Sequence, residues 1–309
     1  MPKDSSRLQT MTAFNQKFLR GGPGGAVFSK SAPPGRRRLQ GLYINLNKWH
    51  NYAMKEEKCM VLENRNLNNK YFLMKLEARY IAAHAKPGNF IMLAASNTVD
   101  PLLKRPFGIL NAEPPFIRVY YEVVGKGTEL ISTLKPNDTV NAIGPLGNSF
   151  PSLENKKILL VAGGRGIAPI YYAFEDYTPT NDVFLIYGAK SEDDLNLREE
   201  INVVPLKKVF LYTEDGSIGD KGLVTADIRE IIKDNNIGVT ISCGPDAMFK
   251  SLFRTIGDLG TENYVSLEAL MGCGFGICYS CVVKTAADEY KKVCADGPVF
   301  KMEEIAWEV

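Results

Sequence analysis

Between Lys58 and Val140 the chain carries short apolar runs broken by turn-forming residues. CMVLENRNL, YFLMKLEA, NFIMLAAS, FGILNAE, FIRVYYEVVG and DTVNAIGP recur every ten to fifteen residues. That spacing predicts an antiparallel barrel or sandwich. KPG at Lys86–Gly88 and KPND at Lys135–Asp138 place Pro where a turn favours it. GPLGNSFP, Gly144–Pro151, reads as a linker. Beyond it the pattern changes. KKILLVAGG is apolar without alternation, as in a parallel strand covered on both faces. A helix is predicted over Ala168–Tyr177, then a strand at DVFLIYGA and a polar helix start at SEDDLNLREEI. KKVFLYT and GVTISCG read as further strands, with helices in GLVTADIREIIKD and PDAMFKSLFRTIGDLG. Strands alternating with helices predict a doubly wound parallel sheet. Four segments follow: an extension over 1–53, a barrel over 54–150, an α/β domain over 151–262 and a small terminal domain over 263–309.

Composition narrows the class. The 309 residues are 45% hydrophobic and 23% charged, ordinary for a globular protein with enough chain for a large core. No stretch of about 20 apolar residues suggests a membrane span, and the start lacks a secretory pattern. A cytoplasmic protein with no membrane partner is expected. The net charge of +2 is uneven: residues 1–41 carry eight Lys or Arg and one acid, leaving −5 for the rest. This Gly-, Pro- and Arg-rich segment has too few apolar positions to fold alone. It reads as a flexible arm, or as sequence upstream of a start at Met54. A transit peptide is a further reading. A nucleic-acid arm is the weakest, having no aromatic platform beside it, and no nucleic-acid partner is expected. Only His50 and His84 are present, both in polar surroundings, which argues against a histidine-based site.

The candidate chemistry lies in glycines and cysteines. LLVAGGRGIAPI runs from a buried strand through Gly163, Gly164, Arg165 and Gly166 into a helix. Glycines there let backbone N–H groups approach a pyrophosphate; a plain tight turn has the same look. SCGPDAM brings Cys243, Gly244 and Pro245 to the end of a later strand, where ligands of such sheets bind; a small residue at a strand end is the plainer account. In the barrel, Arg105 could fork onto a phosphate and GKGT could present N–H groups and the Thr128 hydroxyl to a diphosphate. A turn at a sheet edge and a hairpin loop explain the same residues. Cys273, Cys278, Cys281 and Cys294 follow a C-x4-C-x2-C-x12-C pattern. A large chain with clustered Cys favours metal over disulfides. Zinc ribbons pair two C-x2-C units, whereas C-x4-C-x2-C with a distant fourth Cys is plant-type [2Fe–2S] spacing. Iron–sulfur is the stronger reading and zinc the rival. Cys59 reads as a small core residue.

In order, RPFG, GKGT, GPLGN, AGGRGIAP, DGSIGDKG, CGPDAM and CGFGICYSC…VCADGPVF resemble the electron-transfer subunit of the class B dihydroorotate dehydrogenases, a ferredoxin-reductase-like flavoprotein family. The similarity spans about Lys58 to Phe300. It implies FAD held by Arg105, Pro106, Phe107 and Gly108. Tyr120, Tyr121 and Glu122 would line the flavin, and Gly127 and Thr128 would meet its diphosphate. It implies NAD(H) on Gly163–Pro169 and Cys243–Met248, and a [2Fe–2S] cluster on the four cysteines. The implied partner is an FMN-containing catalytic flavoprotein subunit in a heterotetramer of pyrimidine biosynthesis. Sulfite reductase, hydrogenase or ferredoxin are alternative acceptors, and a zinc-stabilised binding module is the alternative of another class. Three positions depart from the family pattern. Gly108 stands where Ser or Thr is usual, Glu122 where a basic residue is usual, and Arg165 where a small or apolar residue is usual. Glu192, Asp193 and Asp194 lean towards NADH, whereas Lys190 and Ser191 lean towards NADPH.

Overall fold

The computed structural model describes residues 54–307, except 69, 97 and 202–204. The basic extension expected over 1–53 lies outside the described residues.

Six antiparallel strands close a barrel: β1 (Lys55–Asn68), β2 (Tyr71–Glu77), β3 (Phe90–Leu93), β4 (Arg105–Glu113), β5 (Phe116–Glu122) and β6 (Thr139–Leu146). Their order is β1-β2-β5-β4-β3-β6, and β6 pairs back onto β1. Side chains alternate sides along such strands. Ile117, Val119 and Tyr121 of β5 fill the barrel with Phe107 and Ile109 of β4. Two short helices went unanticipated. In α1 (Arg79–His84), the first N–H groups donate to the Glu57 carboxylate of β1, Tyr80 N at 3.1 Å and Ile81 N at 3.1 Å. A cap supplied from β1 leaves no local signal in the sequence. In α2 (Lys126–Ser132), Thr128 Oγ1 accepts from Val124 N at 2.9 Å and donates to Gly125 O at 2.9 Å.

The second sheet has the order β10-β9-β8-β7-β11-β12-β15. Its strands are β7 (Lys157–Gly163), β8 (Asp182–Ala189), β9 (Lys208–Thr213), β10 (Asp220–Lys221), β11 (Val239–Cys243), β12 (Glu262–Ser266) and β15 (Val299–Lys301). The first six run parallel, and β15 returns antiparallel on β12. Helices α3 (Ile167–Tyr177), α4 (Arg198–Ile201), α5 (Ile228–Asn235) and α6 (Asp246–Ile256) lie between these strands in sequence. The helix started by SEDDLNLREEI contracts to a 3-10 turn at Glu192–Asp194 and four residues of α4. Leu195 and Leu197 are both buried, two positions apart, which no single helix face satisfies.

Two boundaries differ from the sequence reading. Residue 262 opens β12, so the parallel sheet continues past that point and takes its last strand from the terminal segment. That segment also carries the β13 (Val282–Lys284) and β14 (Tyr290–Lys292) hairpin. The stretch read as a linker is pinned: Asn148 Nδ2 donates to Val299 O at 2.8 Å, and Val299 N donates to Asn148 Oδ1 at 2.9 Å. The barrel and sheet also share cores. Tyr71, Leu73, Leu110 and Tyr120 bury with Ile170, Tyr171 and Tyr187. Phe90, Met92 and Leu146 bury with Cys281, Cys294 and Phe300. Each buried Leu, Ile, Phe or Met among them contributes roughly 1.5–3 kcal/mol by leaving water. No helix among the described residues is long and apolar enough to cross a membrane.

Candidate functional site

The chain leaves β7 towards β8 and β9 on one side, then crosses to β11 on the other. β7 and β11 therefore flank the switch point, where parallel sheets open a crevice beyond their carboxyl ends. Gly163 ends β7 and Gly164–Gly166 follow it; Cys243 ends β11 beside them, in register with Ala162, and Gly244 and Pro245 come next. A side chain at Gly166 would collide with the Cys243 carbonyl, so only glycine lets the two strand ends meet. A cavity of about 510 Å3 opens there. Gly163–Gly166, Gly188, Lys190, Asp194, Glu214, Gly244 and Pro245 line it, with Lys70 and Tyr71 from the barrel side.

A second cavity, about 390 Å3, lies between barrel and sheet. Arg105, Pro106, Phe107, Gly108, Tyr120, Tyr121, Glu122 and Thr128 border it from the barrel. Ala168, Pro169 and Cys243 border it from the sheet, and Leu267–Met271 close one end. Cys243 thus sits on this second wall, while Gly244 and Pro245 face the first. The Cys243 thiol is buried, and desolvation together with the Glu268 carboxylate raises its pKa well above the usual thiol value. The barrel residues divide by strand parity. Tyr120 and Glu122 turn towards the sheet, whereas Phe107 and Tyr121 are core residues whose rings meet edge-on at 5.5 Å. Tyr121 also donates to Asn64 Oδ1 at 2.9 Å. Gly127 is not on the cavity wall; the Arg105 side chain crosses directly over it, in the space a Cβ would need. The Thr128 hydroxyl, expected to meet a diphosphate, is occupied with its own loop backbone.

Met271 closes the second cavity, and Cys273 is two residues on. No disulfide forms, and all six thiols are free. The four clustered thiols sit as two pairs. Cys273 N points at Cys278 Sγ at 3.4 Å and Cys278 N at Cys273 Sγ at 3.5 Å. Cys294 N points at Cys281 Sγ at 3.5 Å, and Gly276 N at Cys294 Sγ at 3.1 Å. Among the described residues, no three His, Cys, Asp or Glu side chains gather at one single-ion point. Four sulfurs in two pairs, met by backbone N–H groups, fit a two-iron cluster with one pair per iron. The pairs differ in environment. The Ser280 hydroxyl and N–H, with the Cys273 N–H, draw the exposed Cys278 thiol down to about 6. Burial and the neighbouring Cys281 push Cys294 up to about 12.

Several lining residues escaped the sequence reading: Lys70, Tyr71, Glu214, Gly222–Thr225 and Glu268–Met271. DGSIGDKG is the one local signal, and it ends at Gly222. The departures at Glu122 and Arg165 prove to be partners. Arg165 Nη1 lies 3.2 Å from Glu122 Oε2, and Lys70 Nζ lies 3.1 Å from Glu122 Oε1.

A closed barrel joined to a parallel α/β sheet, with a thiol-rich terminal segment, defines a ferredoxin-reductase-type fold. One solved relative is described as an NADH-dependent reduced ferredoxin-NADP oxidoreductase, in a study of flavin-based electron bifurcation. It matches with a TM-score of 0.72 at 27% identity, over 81% of this chain and 90% of the other. Residues 268–306 match the iron–sulfur cluster binding domain of dihydroorotate dehydrogenase B, and residues 160–253 match an oxidoreductase NAD-binding domain. The electron transfer subunit of dihydroorotate dehydrogenase B (NAD(+)) from Bacillus velezensis is 36% identical over 261 residues, covering 82% of this chain and 100% of its own. A homolog of that subunit from Aquifex aeolicus is 36% identical, covering 81% of this chain and 98% of its own. The chain belongs to the family of dihydroorotate dehydrogenase B electron transfer subunits.

Proposed function

We propose that this chain passes electrons between NAD(H) and a catalytic flavoprotein subunit, using FAD and a [2Fe–2S] cluster. The observation that carries the reading is the continuity of three sites. The dinucleotide cavity shares Glu122, Arg165 and Glu268 with the second cavity, and Met271 on the wall of the second cavity stands two residues before the cluster thiol Cys273. FAD exchanges electrons in pairs or singly and the cluster exchanges them singly, which is the chemistry these groups supply when bound.

The chain's own part is to hold and orient. Gly163–Gly166 offer backbone N–H groups to a pyrophosphate at the end of β7. Pro106, Gly108, Tyr120 and Pro169 give the second cavity flat walls suited to a ring, and Arg105 supplies a cation beside α2. Phe107 and Tyr121 support those walls from the barrel core. Cys273 and Cys278 would hold one iron, Cys281 and Cys294 the other. Burial of the second pair shields its side of the cluster from water, while Cys278 faces outward towards a partner.

The partner that fits the family is the FMN-containing catalytic subunit of dihydroorotate dehydrogenase, in a heterotetramer of cytoplasmic pyrimidine biosynthesis. Anaerobic titration with NADH tests the reading. Purified holoprotein should contain one FAD and two irons per chain. Its flavin absorption should bleach, and a reduced-cluster signal should appear by electron paramagnetic resonance. Colourless protein holding a single zinc would refute the proposal. Co-purification with the catalytic subunit tests the assembly.

A further inference from the structure

The walls of the two cavities have three residues in common: Glu122, Arg165 and Glu268. They come from the end of β5, the loop after β7 and the segment after β12, which are distant in sequence. They are joined by charge. Arg165 Nη1 stands 3.2 Å from Glu122 Oε2, and Arg165 Nη2 stands 3.8 Å from Glu268 Oε2. Lys70 holds the other oxygen of Glu122 at 3.1 Å. The guanidinium therefore spans the boundary between the dinucleotide cavity and the second cavity, anchored to a carboxylate on each side.

Resting on the functional reading above, we propose that Arg165 is a positioning residue that closes this passage until a dinucleotide enters. A nicotinamide ring must cross the boundary to reach a flavin, and the bridge lies on that boundary. Entry requires the guanidinium to release Glu122, Glu268 or both. The bridge is built to release. Its Arg165 and Glu268 side chains are 43% and 58% exposed, and ion pairs open to solvent are weak and screened by salt. Glu122 is the fixed post, 18% exposed and retained by Lys70 when Arg165 leaves. Opening therefore leaves no buried carboxylate without a partner, and the cost of opening stays small.

The proposal separates from simple electrostatic steering by sign. A dinucleotide is anionic, so steering alone makes loss of Arg165 slow association and loss of the Glu122 charge speed it. A closing bridge makes both changes speed association, because either one breaks it. The test is stopped-flow fluorescence of NAD+ binding to holoprotein, with affinity measured by calorimetry, so that no turnover is involved. Arg165→Met and Glu122→Gln should each raise the association rate about two- to ten-fold, the range for releasing one or two exposed ion pairs. The double variant should gain little beyond either single one. Raising the salt concentration should speed association in the parent protein and not in Arg165→Met. The exchanged pair, Arg165→Glu with Glu122→Arg, should return the rate towards that of the parent. Opposite signs for the two single variants, or an unchanged rate with weaker affinity in Arg165→Met, would overturn the bridge and leave the functional reading standing. Failure of the parent holoprotein to bind NAD+ would overturn both.

Discussion

Asn148, at the exit of the barrel, exchanges two hydrogen bonds with the backbone of Val299, 151 residues away. The pair ties the end of β6 to β15, the strand that the cysteine-bearing segment lends to the parallel sheet. Barrel, sheet and cluster segment thus meet at one amide side chain.

Asn148→Ala should therefore destabilise more than a surface loop change. It removes a donor and an acceptor and leaves the Val299 N–H and carbonyl without these partners, a loss of about 1–3 kcal/mol. Thermal unfolding of the holoprotein should reveal it as a lowered Tm. Release of iron on warming should move down in parallel, since the same strand steadies the cluster segment. An unchanged Tm would mean the link does not couple the parts.

Gly108 has room for a side chain. A Cβ there would sit 3.5 Å from Pro169 Cδ, ordinary van der Waals contact. Gly108→Ser should fold as the parent does and place a hydroxyl at the wall of the second cavity. One new hydrogen bond is worth about 0.5–1.5 kcal/mol, so FAD affinity should tighten about two- to ten-fold. Flavin retention on dilution measures this, and a drop in retention would exclude the expected contact.

Gly166 has no such room. Gly166→Ala drives a methyl into the Cys243 carbonyl, where β7 and β11 must stay close. A clash of this kind typically costs about 1–3 kcal/mol. Both Tm and NAD+ affinity should fall, and FAD content should fall less, because Gly166 borders only the dinucleotide cavity. Equal loss of both ligands would point to general unfolding.

Cys59 supplies a pH signature. Burial, aided by the Glu57 carboxylate, pushes its thiol up to about 12 from an ordinary 9.0. The folded state holds the proton more tightly than the unfolded chain. Its stabilising effect is complete below pH 9 and drains as pH rises towards 12. Buried tyrosines titrate in the same alkaline region, so the comparison is parent against Cys59→Val. The stability difference should shift by about 2 kcal/mol against the parent by roughly pH 10.5. Native Cys59 should also resist alkylation at neutral pH.

Much of the fold was legible along the chain because hydrophobic period is local. The barrel strands, the unalternating β7 and the succession of strands and helices after it all follow from it. What failed had distant causes. The α1 helix takes its cap from Glu57, and the helix expected at SEDDLNLREEI is interrupted where Leu195 and Leu197, two positions apart, both bury in the same core. Tyr120, Tyr121 and Glu122 all border the second cavity, yet consecutive strand positions face opposite ways, and only the tertiary structure shows that Tyr121 also packs in the barrel core.

The sequence by itself determined the element order, the glycine turn after β7 and the four thiols with their spacing, since each rests on residues close together in the chain. Only the tertiary structure decided which thiols pair and that β15 completes the sheet. It alone decided that the two charged departures, Glu122 and Arg165, face each other across the boundary between two cavities. The physical reason is that an ion pair is set by distance in space. A strand's alternation gives the side to which a charge points, and only closure of the barrel against the sheet gives its neighbour.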